Sequence, residues 1–171
     1  MKLAAIFNRN LLALTILIMA AVTLSSAAFA QSVTVQAKPL TDSDVQLLRQ
    51  DLQTQKNQII NDTMTFTETE AAAFWPVYKD YAAGQHVIAD KRLAVITDYA
   101  RSIDKMDDAT ANNLSQRLFG IEDDTQALRR EYFPRFTKAL GAKRAAKFYQ
   151  VDNRLNLMID LQLASEIPLI P

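Results

Sequence analysis

The chain contains no cysteine. No disulfide can form, and no thiolate is on hand as nucleophile or soft metal ligand. Histidine occurs once, at His86, with Asp90 four residues on. Metal sites built on several histidines or cysteines are thereby excluded, and His86 reads as a helix-face residue. Three glycines (Gly84, Gly120, Gly141) are too few and too scattered for a glycine-rich phosphate loop. Apolar and polar residues almost never alternate along a segment, which leaves β-strands without a sequence basis. An excess of either charge is also missing, since 19 Lys and Arg stand against 19 Asp and Glu. That balance argues against nucleic acid as the principal partner. The carboxylates Asp104, Asp107, Asp108, Glu122, Asp123 and Asp124 lie among polar neighbours. Such surroundings keep carboxylates solvated and do not split the pKa values of an acid-base pair. With no nucleophile motif either, catalytic residues, cofactors and metals are not expected.

What is present begins with one apolar run, Leu11 to Leu24, behind Lys2 and Arg9 and ahead of Ala28-Phe29-Ala30. This is the layout of a secretory signal peptide cleaved after Ala30. The run is short for a retained membrane anchor, which needs about 20 residues. Removing residues 1–30 takes away Lys2 and Arg9, so 17 basic residues then face 19 acidic ones, a balance of −2. No later stretch is apolar and long enough to insert stably in a membrane. Residues 31–41, polar and carrying Pro39, are expected to form a flexible lead-in. The remainder, 42–171, is expected to be one helical domain.

Alanine, leucine, glutamine, arginine and glutamate dominate this domain, and all favour helix. Four helices are predicted. The first runs from about Asp42 to Asn61 on Val45, Leu48, Leu52 and Ile59. Thr67 starts the second, where Glu70 can close a capping box, and its apolar face continues through Phe74, Tyr78, Tyr81, Ile88, Val95, Tyr99 and Ile103. The third begins near Thr110 behind Asp107 and Asp108, and carries Leu114, Leu118, Ile121, Leu128, Tyr132, Phe136 and Leu140. Gly141 separates it from a fourth on Phe148, Val151, Leu155, Met158, Ile159 and Leu163. The two central helices, ~60 Å and ~45 Å long at 1.5 Å per residue, imply an elongated hairpin. Pro76 and Pro134 should bend it near one end, with Gly84 and Gly120 opposed. The expected class is therefore all-α, an elongated four-helix bent hairpin.

A thin hairpin has little interior, so some aromatics should remain on the surface. Trp75, Phe133 and Tyr149 lie beside the main stripes and are candidates for a dimer or client surface. From Arg129 to Lys147 there are seven basic residues and one acid, Glu131. Lys143, Arg144 and Lys147 open the fourth helix, where its dipole disfavours cations, and this placement points to a use. The candidate client or partner surface is Trp75, Arg130, Phe133, Arg135, Lys138, Arg144, Lys147 and Tyr149.

Finally, Phe66-Thr67-Glu68-Thr69-Glu70-Ala71-Ala72-Ala73-Phe74-Trp75 returns as Leu140-Gly141-Ala142-Lys143-Arg144-Ala145-Ala146-Lys147-Phe148-Tyr149. The repeated helix start rests on Thr67 and Glu70 in one copy and on Gly141 and Arg144 in the other. It resembles the twin Leu-Thr-x-x-Gln motif of the Spy/CpxP family of periplasmic helical proteins, with Glu70 and Arg144 in the place of glutamine. The resemblance spans roughly Asp42 to Ile167. It implies a periplasmic location, an antiparallel cradle-like homodimer, and an ATP-independent chaperone of the envelope stress response that binds unfolded proteins. The family's other activity, an adaptor or sensor docking on one envelope signalling partner, is the alternative. Its metal-responsive branch relies on ligands that this chain lacks.

Overall fold

A computed structural model describes residues 42–170. They form four α-helices and no strand: α1 (Asp42–Met64), α2 (Glu68–Ser102), α3 (Asp108–Leu140) and α4 (Ala142–Glu166). A short 3-10 turn, Ile103–Lys105, links α2 to α3. The all-α class holds. The signal-peptide and lead-in readings lie outside the described residues.

Local chemistry sets the helix ends. The Glu70 amide donates to Thr67 Oγ1 at 3.2 Å while the Thr67 amide donates to Glu70 Oε2 at 2.9 Å, a complete capping box. At α3, the Thr110 amide donates to Asp107 Oδ1 at 2.7 Å. Gly141 serves two helices. At φ 77° its amide caps α3 by donating to Thr137 O at 2.8 Å, and its carbonyl accepts the first bond of α4 from the Ala145 amide at 2.9 Å. That positive φ favours glycine, which gives a reason for Gly141 where the first copy has Thr67. Its cost is that α4 has no side-chain cap.

Successive helices run antiparallel. Arg49 of α1 pairs with Asp90 of α2 at 2.6 Å, and Gln53 Nε2 donates to the Tyr78 hydroxyl at 3.1 Å. Between α2 and α3, Lys91 meets Asp124 at 2.7 Å and Arg117 meets Asp98 at 2.8 Å. At one end all four helices close on Phe74, Tyr78, Tyr81, Phe136 and Phe148, with Ile60, Met64, Ala145 and Leu155 packed among them. The Phe74 ring lies 4.5–5.5 Å from those of Phe66, Phe148, Tyr78 and Phe136. Deleting such a ring costs ~3–5 kcal/mol. A smaller core of Val95, Leu114 and Ile121 holds α2 to α3 nearer their turn.

Two expectations need correction. The interior is larger than a two-helix hairpin offers, because α1 and α4 also cover the central aromatics. Trp75 is half-buried against Phe66, Phe74 and Tyr78, so only Phe133 and Tyr149 of the three expected surface aromatics are exposed, at 39% and 37%. Nor do Gly84 and Gly120 oppose one another. A Cβ on Gly84 would stand 2.6 Å from Leu128 Cδ1, whereas one on Gly120 would meet nothing. The prolines do lie near one end of the α2–α3 pair, since Phe74 and Phe136 touch.

Candidate binding groove and the charges around it

Pro168 cannot extend α4, and Ile167 before it turns to extended backbone, with φ −93° and ψ 115°. The segment Ile167–Ile170 then lies along a groove of about 890 Å³ between α2, α3 and α4. Val95, Ile96, Leu114, Leu118, Leu157 and Leu163 give the groove its apolar lining. Arg92, Glu122, Asp123 and Asp160 supply charge around it, Arg92 and Asp160 being ion-paired. One polar contact fixes the segment: the Tyr99 hydroxyl donates to Pro168 O at 2.6 Å. Leu169 and Ile170 remain 90% and 53% exposed, so the segment is held lightly.

A second cavity of about 270 Å³ adjoins this groove and shares Arg92, Ile96, Arg129, Asn156 and Leu163 with it. Lys56 and Gln85 also line it, beside a buried polar cluster centred on Asp152. The Tyr81 hydroxyl donates to Asp152 Oδ2 at 2.8 Å, and Asn156 Nδ2 donates to the same oxygen at 3.1 Å. Lys56 Nζ donates to Gln85 Oε1 at 3.2 Å and Asn156 Oδ1 at 3.3 Å, and stands 3.6 Å from Asp152 Oδ1. Burial lowers the Lys56 pKa, and the Asp152 charge opposes that shift. Desolvation raises the Tyr78 and Tyr81 hydroxyls well above the usual phenol range. Both therefore stay protonated, which suits Tyr81 as a donor to Asp152.

Sequence reasoning missed this cluster, although a signal was there. Lys56 falls between Leu52 and Ile60 at helical spacing, and Asp152 between Phe148 and Leu155. Opposite charges thus interrupt two apolar stripes that face one another.

The expected surface residues divide into two groups. Phe133 and Tyr149 meet edge to face, with ring centroids 6.4 Å apart and the Arg129 guanidinium over Tyr149 at 5.7 Å. Arg130 and Lys138 are exposed on the same helix as Phe133. Arg135 pairs with Glu131 at 2.7 Å and lies over Tyr132 at 4.5 Å. Arg144 and Lys147 are instead committed within the fold. Arg144 Nη2 donates to Met64 O at 2.8 Å, and Lys147 Nζ donates to Thr63 O at 2.7 Å. Both cap the carbonyl end of α1, next to Thr65 in the left-handed region at φ 47°. Two of the three cations that begin α4 against its dipole, Arg144 and Lys147, are thus compensated by the negative end of α1.

His86 is half-buried and lines the smaller cavity. Among the described residues no three His, Cys, Asp or Glu side chains come together as a metal site, and no helix is long and apolar enough to cross a membrane. The arrangement offers two things chemically: an apolar groove with charged borders, and a rigid buried polar cluster beneath it. Compared with protein-family models, with curated proteins and with solved structures, the chain matches none.

Proposed function

We propose that this chain is an exported, ATP-independent chaperone-like protein of the envelope stress response. It holds extended apolar segments of other periplasmic proteins in the groove between α2, α3 and α4. The observation that carries the reading is the course of Ile167–Ile170 along one wall of that groove, where an apolar stretch that begins in extended backbone has a backbone carbonyl captured by Tyr99. A hydroxyl that reads a backbone carbonyl is indifferent to sequence, and apolar walls accept many side chains. The light hold on the segment supports reversible occupancy without nucleotide. The signal-peptide layout and the resemblance of the two helix starts support the same reading.

In this proposal α2 and α3 act as an elongated, bent hairpin frame. Two copies pair antiparallel through exposed apolar residues such as Phe119 and Leu161, 53% and 73% exposed, to give a cradle-like homodimer. A second reading, an adaptor docking on one signalling partner, is favoured by the exposed Phe133–Tyr149 pair beside Arg130 and Lys138.

Aggregation of a chemically denatured client separates the two. Wild type should suppress it, and Leu169→Ser with Ile170→Ser should suppress it more strongly because the chain's own apolar segment then competes less for the groove walls. Leu157→Asp should suppress it less. Wild type without effect on unrelated clients, together with one stoichiometric partner recovered from the envelope, would replace the chaperone reading with the adaptor.

A further inference from the structure

Arg129 stands where the two cavities meet and lines both. Its Nε is buried and has no hydrogen-bond partner. The other such nitrogen, Arg144 Nε, lies 2.6 Å from a Glu70 oxygen and so has its counter-charge. Three further cations line the smaller cavity, and each has a carboxylate: Arg49 with Asp90, Lys56 with Asp152, Arg92 with Asp160. Among the described residues Arg129 has none. Apart from the Tyr149 ring it lies over, this guanidinium has no partner of opposite charge, and a cation so enclosed favours an anion at its accessible side.

We infer that the groove binds a single-charged anionic amphiphile, a free long-chain carboxylate, with its head group on Arg129 and its chain along Ile96, Leu157 and Leu163. A carboxylate fits the planar fork of a guanidinium through two parallel hydrogen bonds. One negative charge is matched by one unpaired cation. Glu122, Asp123 and Asp160 around the same groove repel a dianion twice as strongly as a single charge, and among the described residues no second unpaired cation lines the groove to offset a phosphate. The space suits a long chain. From Arg129 to Ala111, which also lines the groove, α3 runs 18 residues, ~27 Å at 1.5 Å per residue. The adjoining volumes, 270 and 890 Å³, fall within the range or close to the size of small-molecule sites. This ligand differs from a polypeptide client, and its site is centred on Arg129 rather than on Tyr99.

The test is titration of the full purified chain with dansylundecanoic acid, followed by displacement with oleate or oleyl alcohol. Saturable binding is expected, with oleate displacing the probe and the uncharged alcohol far weaker. Arg129→Met should weaken oleate binding on the order of tenfold or more, the worth of a charged hydrogen-bonded contact. Lys79→Met, at an exposed position of α2 that lines neither cavity, should leave it unchanged. Arg129→Lys keeps the charge without the fork, and covers the case in which the methionine variant does not fold. It should bind oleate between wild type and Arg129→Met, or more weakly than wild type where the latter is unfolded. Absence of saturable binding, equal displacement by the alcohol, or undiminished affinity in the Arg129 variants overturns the assignment. Failure of client protection with intact oleate binding would affect only the chaperone reading.

Discussion

Arg144 Nε lies 2.6 Å from Glu70 Oε1, and this ion pair joins the fourth positions of two helix starts of similar sequence. The two copies of the motif are therefore in contact. Their departures from a shared pattern, acid in one and base in the other, complement each other. Arg144 also donates to Met64 O, so one side chain ties together the end of α1, the start of α2 and the start of α4.

Arg144→Met should accordingly destabilise the fold by about 2 kcal/mol, the cost of losing a charged hydrogen bond to the part-buried Met64 carbonyl together with the ion pair to Glu70. Exchanging the charges through Glu70→Arg with Arg144→Glu should recover only part of this, because the α1 carbonyls would then face a carboxylate. Urea denaturation of the three proteins tests it. Full recovery in the exchanged pair would mean that the α1 carbonyls contribute little.

Glu70 gives the same junction a pH dependence. The hydrogen bond from the Thr67 amide, with a smaller contribution from Arg144, holds its pKa below the ordinary 4.5. A depressed carboxylate stabilises above its unfolded pKa and loses that contribution as pH falls through the folded value. Thermal midpoints of wild type and Glu70→Gln should therefore differ above pH 4.5 and converge as pH drops below it. A constant difference across the acid range would assign the stabilisation to packing rather than to charge.

Asp152 is 1% exposed and receives hydrogen bonds from Tyr81 and Asn156. Asp152→Leu strands Lys56 as a buried cation and should cost ~3–5 kcal/mol. Lys56→Met should cost less, since Asp152 keeps its two closest donors. The double variant, Lys56→Met with Asp152→Leu, should recover much of the loss by turning the pair into apolar packing. Equilibrium denaturation of all three completes a double-mutant cycle. A double variant as unstable as Asp152→Leu alone would show that Tyr81 and Asn156, rather than Lys56, depend on the carboxylate.

Features fixed within one or two helical turns were legible in the sequence. The Thr67–Glu70 capping box, the Asp107 cap and the stripes through Phe74, Tyr78 and Tyr81 are all of this kind. Contacts between distant segments were not. Nothing near Lys147 in sequence announces the carbonyl of Thr63, 84 residues away. The groove was hidden for the same reason, because Tyr99 and Pro168 meet only after α4 has packed beside α2. Aromatic burial was underestimated because periodicity gives each helix a face but does not say how many helices share it.

The two α2 and α3 glycines should respond oppositely to alanine. Gly120→Ala enters open space in a helix and should stabilise by ~0.5–1 kcal/mol. Gly84→Ala gains the same propensity but presses on Leu128 at 2.6 Å, an overpacking cost of ~1–3 kcal/mol. The net effect should be destabilising, and Leu128→Ala should relieve it within the double variant. Stabilisation by Gly84→Ala alone would show that Leu128 moves aside freely.

The split among the basic residues changes how a charge test must be built. Reversing Arg130, Lys138, Arg144 and Lys147 together would confuse client contact with folding, because the last two cap α1 while the first two are exposed. The pairs should be made separately. Arg130→Glu with Lys138→Glu should change stability by no more than ~0.5 kcal/mol, as surface changes usually do. Arg144→Glu with Lys147→Glu should lower the thermal midpoint clearly. If exposed cations draw acidic client segments toward Phe133 and Tyr149, the first pair should reduce protection most at low salt, where the screening length is longest. Protection by that pair equal to wild type at low ionic strength, with wild type active, would remove the basic surface from client capture. The groove beside Tyr99 would then carry that role alone.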